Sequence, residues 1–194
     1  MTGSFLEALK QARPDPGGGS AAAYGGAVAL ALLEKVVQLE SQRPSQVEAR
    51  QRFWEEQLHA TRQLAQALTH LQGADIKAYR ALARARKNPH KGQLLLKAVQ
   101  EALDCPCRIM ERAIEGLIVI GRAGEWCQKH LVADLLVATE FLGAALLGAY
   151  HIAAANLPLL TLETLREDWG AKLGQARQKG QETLLRVRTK LTAR

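Results

Sequence analysis

Pro14-Asp15-Pro16-Gly17-Gly18-Gly19-Ser20 runs directly into Ala21-Ala22-Ala23-Tyr24-Gly25-Gly26-Ala27-Val28-Ala29. Two prolines stiffen the approach, three glycines permit backbone approaches that a Cβ would forbid, and Ser20 stands where a helix N-cap is expected. The segment predicts a helix from Ser20 to about Glu40, small-sided in its first half and apolar through Leu30, Leu32, Leu33, Val36 and Val37 in its second. Side chains this small let helices approach closely, so Ala21 to Gly26 are expected against another helix backbone or a subunit partner. Exposed N–H groups at the first turn of such a helix favour a carboxylate or another electron-rich group. The same residues also suit a stiff loop leading into a capped helix.

Standard nucleotide signatures do not fit this loop. A phosphate-binding loop needs Gly-x4-Gly-Lys-Ser/Thr, and Gly19 rather than a lysine stands immediately before Ser20. A dinucleotide fingerprint follows a strand, whereas Phe5 to Ala12 reads as helix.

Outward from the loop, the composition points the same way. Of 194 residues 47% are apolar, mostly Ala and Leu, and only 5% are aromatic, which favours closely packed helices over strands. The expected fold is all-α, a multi-helix bundle of long antiparallel helices forming a single domain over residues 1–194. A net charge of +7 would suit an anionic partner. The basic residues are nevertheless spread along helices without interleaved aromatics, so a nucleic-acid role is not expected. Met1 to Glu7 lacks the features of a secretory leader, which sets a cytoplasmic expectation. Leu131 to Leu160 is apolar enough to evoke a membrane span, yet Asp134, Glu140, His151 and Asn156 interrupt it, and a buried helix is expected instead.

Further along, Ser41 to Ser45 is a break, Val47 to Leu71 an amphipathic helix that Gly73 ends or bends, and Asp75 to Lys87 a further helix closed by Asn88-Pro89. Gln93 to Gly121 is expected as a long helix kinked or restarted at Pro106, and Gly121-Arg122-Ala123-Gly124 as a loop. A central helix then ends at Asn156 before Pro158, with Gly143, Ala144, Ala145, Gly148 and Ala149 as a second small-residue face ready to meet the first. Leu162 to Leu191 forms a charged terminal helix with a solvated basic face. Cys105, Cys107, Cys127 and His130 could supply a zinc set by residue type, but Cys105-Pro106-Cys107 lacks the usual spacing; packing thiols and no metal are expected.

Taken in order, Pro14-x-Pro-Gly-Gly-Gly-Ser20, Asp75-x-x-Ala-Tyr79, the proline at Pro89, and Asp134 followed by a small-residue helix ending in Asn156-Leu157 resemble the cyclodeaminase/cyclohydrolase family. The resemblance implies an all-helical homodimer whose folate site surrounds the glycine loop, Pro16 to Ser20, near the subunit interface. It implies a tetrahydrofolate derivative as substrate and no metal or redox cofactor. Two reactions are implied. Either N10 of 5-formiminotetrahydrofolate displaces ammonia, or water opens the ring of 5,10-methenyltetrahydrofolate to give 10-formyltetrahydrofolate. The chain carries no attached formiminotransferase domain, which tips the expectation towards cyclohydrolase.

Both reactions pass through a cationic one-carbon bridge that a carboxylate can stabilise and deprotonate around. Asp134 is the expected principal acid/base and Asp75, one helical turn from Tyr79, the second or positioning carboxylate. Their plainer roles are a helix-end charge for Asp134 and a helix cap for Asp75. Tyr79 and Asn156 are candidate wall residues, and His130 a candidate proton carrier. The family pattern places a serine and two asparagines upstream of Asp134; here the residues are Gln128-Lys129-His130-Leu131-Val132-Ala133. That departure keeps open a second expectation, a folate-binding or regulatory helical dimer that has lost turnover.

Overall fold

A computed structural model describes residues 2–44, 47–87 and 92–194, and every regular element among them is helical. In chain order these are α1 (Thr2–Leu9), α2 (Gly18–Ser41), α3 (Glu48–Lys87), α4 (Gly92–Trp126), α5 (Val132–Asn156) and α6 (Glu163–Thr192), with short 3-10 turns at Lys129–Leu131 and Leu157–Leu159. Helices α2 to α5 pack in a ring, each against the next, and α6 lies across α4 and α5. The ring is antiparallel throughout. Its core is aliphatic, with Leu30, Leu33, Leu68, Leu117 and Leu142 fully buried.

The two small-residue faces meet as expected. A Cβ on Gly26 would stand 3.4 Å from Ala145 Cβ, and one on Gly148 would stand 3.4 Å from Ala22 Cβ. Helix α5 uses its small residues twice, because Gly143 also receives Leu184 of α6 while Gly180 of α6 receives Leu146. Such reciprocal close packing fixes the rotation of α5 about its axis.

Four local expectations are corrected. Gly73 does not end α3, which is one helix from Glu48 to Lys87, about 60 Å long. Leu68, Leu71, Leu82 and Ala85 are buried on both sides of Gly73, and this packing offsets the roughly 1 kcal/mol that a mid-helix glycine costs. Residues 121–124 are helical rather than a loop, since Gly121 accommodates Val187 and Gly124 accommodates Leu191 of α6. Those glycines serve close approach. Pro106 lies inside α4, which does not restart there. Ser20 is the third residue of α2 and Gly17 the N-cap; the Gly17 N–H donates to Ser20 Oγ at 3.1 Å. Asn88 and Pro89, the expected closure after Lys87, lie outside the described residues.

At the far end of the bundle, the fully buried Glu40 accepts from the Gln128 N–H at 2.9 Å and pairs with Arg43 and Arg50. This charge cluster ties the end of α2 to the start of α3 and the α4–α5 junction. By length and apolarity α2 and the 129–159 segment could each cross a membrane; within the fold half of each such stretch is buried.

Candidate active site

The near end of the bundle gathers the N-terminus of α2, the second half of α3 and the C-terminus of α5 around a cleft of about 260 Å³. Its lining includes Gly17, Gly18, Gly19, Asp75, Tyr79 and Asn156. Thus the glycine loop, the Asp75–Tyr79 turn and the end of the central helix, spread over most of the chain, converge on one cavity.

At two of the three loop glycines a side chain would displace a neighbour. A Cβ on Gly19 would fall onto the carboxylate of Asp75, only 2.8 Å from Oδ2 and nearer still to Oδ1. A Cβ on Gly18 would stand 2.9 Å from Ile152 Cδ1. The loop is pinned from outside by an ion pair between Asp15 and Arg80, the residue after Tyr79. Pro16 sits between pinned Asp15 and capping Gly17 and contributes to the shape of the loop rather than to the cavity wall.

Asp75 occupies the anion position that the first turn of α2 offers. Burial pushes its carboxyl above the usual carboxylate range, while the backbone N–H and hydroxyl of Ser20 donate to it and oppose that rise. Ser20, fully buried behind the loop, also places its hydroxyl 3.0 Å from the Gly17 carbonyl. The result is a carboxylate at a helix N-terminus, partly desolvated and open to a cavity, where it can exchange a proton with a bound molecule.

Opposite Asp75, Asn156 closes α5 and donates through Nδ2 to the Ala102 carbonyl at 3.0 Å. Tyr79 stands partly exposed at the rim, and Leu82 is buried beneath it. Ala102, Ile152 and the Asp15–Arg80 pair were not expected from sequence; only Arg80, adjacent to Tyr79, carried a local signal.

Within one chain, Asp134 and His130 are not part of this cleft. Asp134 lies in the first turn of α5, 22 residues before Asn156, or about 33 Å away along a straight helix. It pairs there with Lys35 Nζ at 2.9 Å, and its side chain is 34% exposed. His130 is exposed in the preceding 3-10 turn. The residues considered as a zinc set do not converge either. Cys105 donates to the Leu71 carbonyl at 3.7 Å, whereas Cys127 lies beside Gly124 and Arg194. Burial pushes the Cys105 thiol up to about 12 and the Cys107 thiol up to about 11, as expected of packing residues. Among the described residues no three His, Cys, Asp or Glu side chains group as metal ligands.

Comparison with known proteins adds to this geometry. The chain matches the family described as formiminotransferase-cyclodeaminase over residues 1–175. The 2.80 Å crystal structure of formiminotetrahydrofolate cyclodeaminase from Thermotoga maritima superposes with a TM-score of 0.91 at 22% sequence identity, covering 100% of this chain and 96% of that one. At that identity the likeness speaks for the helical fold. No curated protein sequence matches.

Proposed function

Since the chain belongs to the formiminotransferase-cyclodeaminase family, we propose that its glycine-loop cleft binds a tetrahydrofolate bearing a one-carbon unit and closes that unit into the 5,10-methenyl bridge with loss of ammonia. The observation that carries this reading is the carboxylate of Asp75, held at the N-terminus of α2 and open to the cavity. N10 attacks the carbon of the protonated formimino group, a carboxylate takes the N10 proton, and the same proton passes to the departing NH2 so that it leaves as ammonia. The cationic bridge that forms is stabilised by the negative charge beside it. Water in place of N10 chemistry, running from the methenyl compound, gives the hydrolytic reaction at the same carbon.

The apolar walls from Ile152, Leu82 and Tyr79 suit flat rings. Lys77, Arg84 and Arg108, with Glu101 and Asp104, line an adjoining groove between α3 and α4 that shares Ala78 with the cleft, and Lys77 and Arg84 suit the carboxylates of the glutamate tail.

The functional unit in this reading is a homodimer. Asp134, Val137, Phe141, Ala144 and Gly148 recur at coiled-coil spacing along one stripe of α5, and Val137 and Phe141 are 46% and 44% exposed. Helix α2 runs antiparallel beside it with Val28 and Leu39 exposed. Asp134 and Asn156 are equidistant in sequence from Ala145, so a twofold axis near the middle of α5 carries the Asp134–Lys35 pair of a second copy to the glycine loop of the first. That pairing supplies the second carboxylate. The test is release of ammonia from 5-formiminotetrahydrofolate and loss of absorbance from 5,10-methenyltetrahydrofolate, each against a buffer blank. Turnover of either supports the reading, whereas tight binding without turnover would move it to the non-catalytic folate-binding dimer, and neither would overturn it.

A further inference from the structure

Pro106 and Asn156 are linked through Ala102. A proline has no N–H, so in α4 the carbonyl four residues earlier, that of Ala102, loses its helical donor, and the pyrrolidine ring crowds that carbonyl and turns it off the helix axis. An unpaired carbonyl at a buried position costs free energy unless another donor reaches it. Asn156 Nδ2, from the last turn of α5, is that donor, at 3.0 Å. A carbonyl can only accept, so the amide must turn its nitrogen to Ala102 and its oxygen away from it. Both Ala102 and Asn156 line the cleft.

We infer that Pro106 is a positioning residue for the site: by exposing the Ala102 carbonyl it locks the Asn156 amide in one orientation, so that Oδ1 is the group offered to a ligand. The cleft then offers an acceptor at Asn156 to a ligand edge that carries N–H donors, such as the amino-pyrimidinone edge of a pterin, while Asp75 is left to the one-carbon bridge. This selectivity rests on the folate reading above, but the locked amide does not.

Two measurements separate the two statements. In the ligand-free protein, the Asn156 side-chain NH2 pair, assigned by its loss in Asn156→Ala, is expected to show one proton protected from solvent exchange. Pro106→Ala, which restores a helical N–H to the Ala102 carbonyl, is expected to abolish that protection while the melting temperature stays at or above that of the unsubstituted protein. Unchanged protection overturns the inference, as does a melting temperature that collapses, since the proline would then be needed for packing. In titrations with 5-formyltetrahydrofolate, Pro106→Ala and Asn156→Ala are each expected to weaken binding by about tenfold, and the double variant by no more than either alone. Additive losses would mean that Pro106 acts by another route and would also overturn it. If the unsubstituted protein does not bind this folate, the folate reading and its donor selectivity fall, and the exchange measurement alone decides the locked amide.

Discussion

The carboxylate of Asp75 occupies the space that a Cβ on Gly19 would fill. Loop and carboxylate are therefore two halves of one device. The glycine is needed so that a side chain from α3 can reach the first turn of α2, and the carboxylate answers the N–H groups that the turn leaves open.

Gly19→Ala is expected to force Asp75 out of this position. Overpacking of this kind costs about 1–3 kcal/mol, so the melting temperature should fall by several degrees and activity should fall with it. Gly73→Ala makes the control, because nothing lies within 4 Å of a Cβ at that position; it should match or exceed the parent in stability. Equal melting temperatures for Gly19→Ala and the parent would contradict the steric account.

The raised pKa of Asp75 has a consequence for pH. Its folded value lies above the ordinary carboxylate value of 3.8 because burial dominates. Between the two values the folded state holds more protons than the unfolded chain, so this group's contribution to stability is present at low pH and is lost as pH rises through the folded pKa. Asp75→Asn removes that dependence. Its melting temperature relative to the parent should rise with pH across the window above 3.8, while turnover drops on the order of a hundredfold or more. A pH-independent difference would show that burial does not govern this carboxyl.

Arg80→Ala is expected to separate loop anchoring from stability. The Arg80 side chain is 58% exposed, so loss of its pair with Asp15 should cost less than about 1 kcal/mol. Freed from that contact, the loop should bind substrate less tightly, raising KM with a smaller change in kcat. An unchanged KM would remove the loop contact from the account of binding.

Phe141→Glu tests the proposed subunit face. A charge there should leave a folded monomer by sedimentation and circular dichroism, because Phe141 is 44% exposed in the single chain. Activity should be lost with the dimer. An active monomer would place the whole site within one chain.

The helical class was legible because Ala and Leu dominate the apolar set, and the meeting of α2 with α5 because small residues recur on one face of each. Asp75 and Tyr79 were legible as a pair through their i, i+4 spacing. Glycine was the weak point. Gly73, Gly121 and Gly124 read locally as helix ends, yet α3 carries on past Gly73, and the other two make room for Val187 and Leu191, which stand far along the chain. Pro106 misled for a related reason, since the group that relieves its lost hydrogen bond lies 54 residues beyond Ala102. Asp134 illustrates a different limit: it and Asn156 were legible as the two ends of one helix, but motif order along a sequence does not say which of those ends meets the glycine loop within a chain.

The most direct measurement is complementation between two variants. Asp75→Asn and Asp134→Asn are each expected to release ammonia from 5-formiminotetrahydrofolate near the blank rate. If each site takes Asp75 from one chain and Asp134 from the other, mixing and reassociating the two variants creates heterodimers with one intact site. The mixture should then recover about a quarter of the parent activity. A mixture as inactive as its components, or an Asp134→Asn protein as active as the parent, would contradict the shared site.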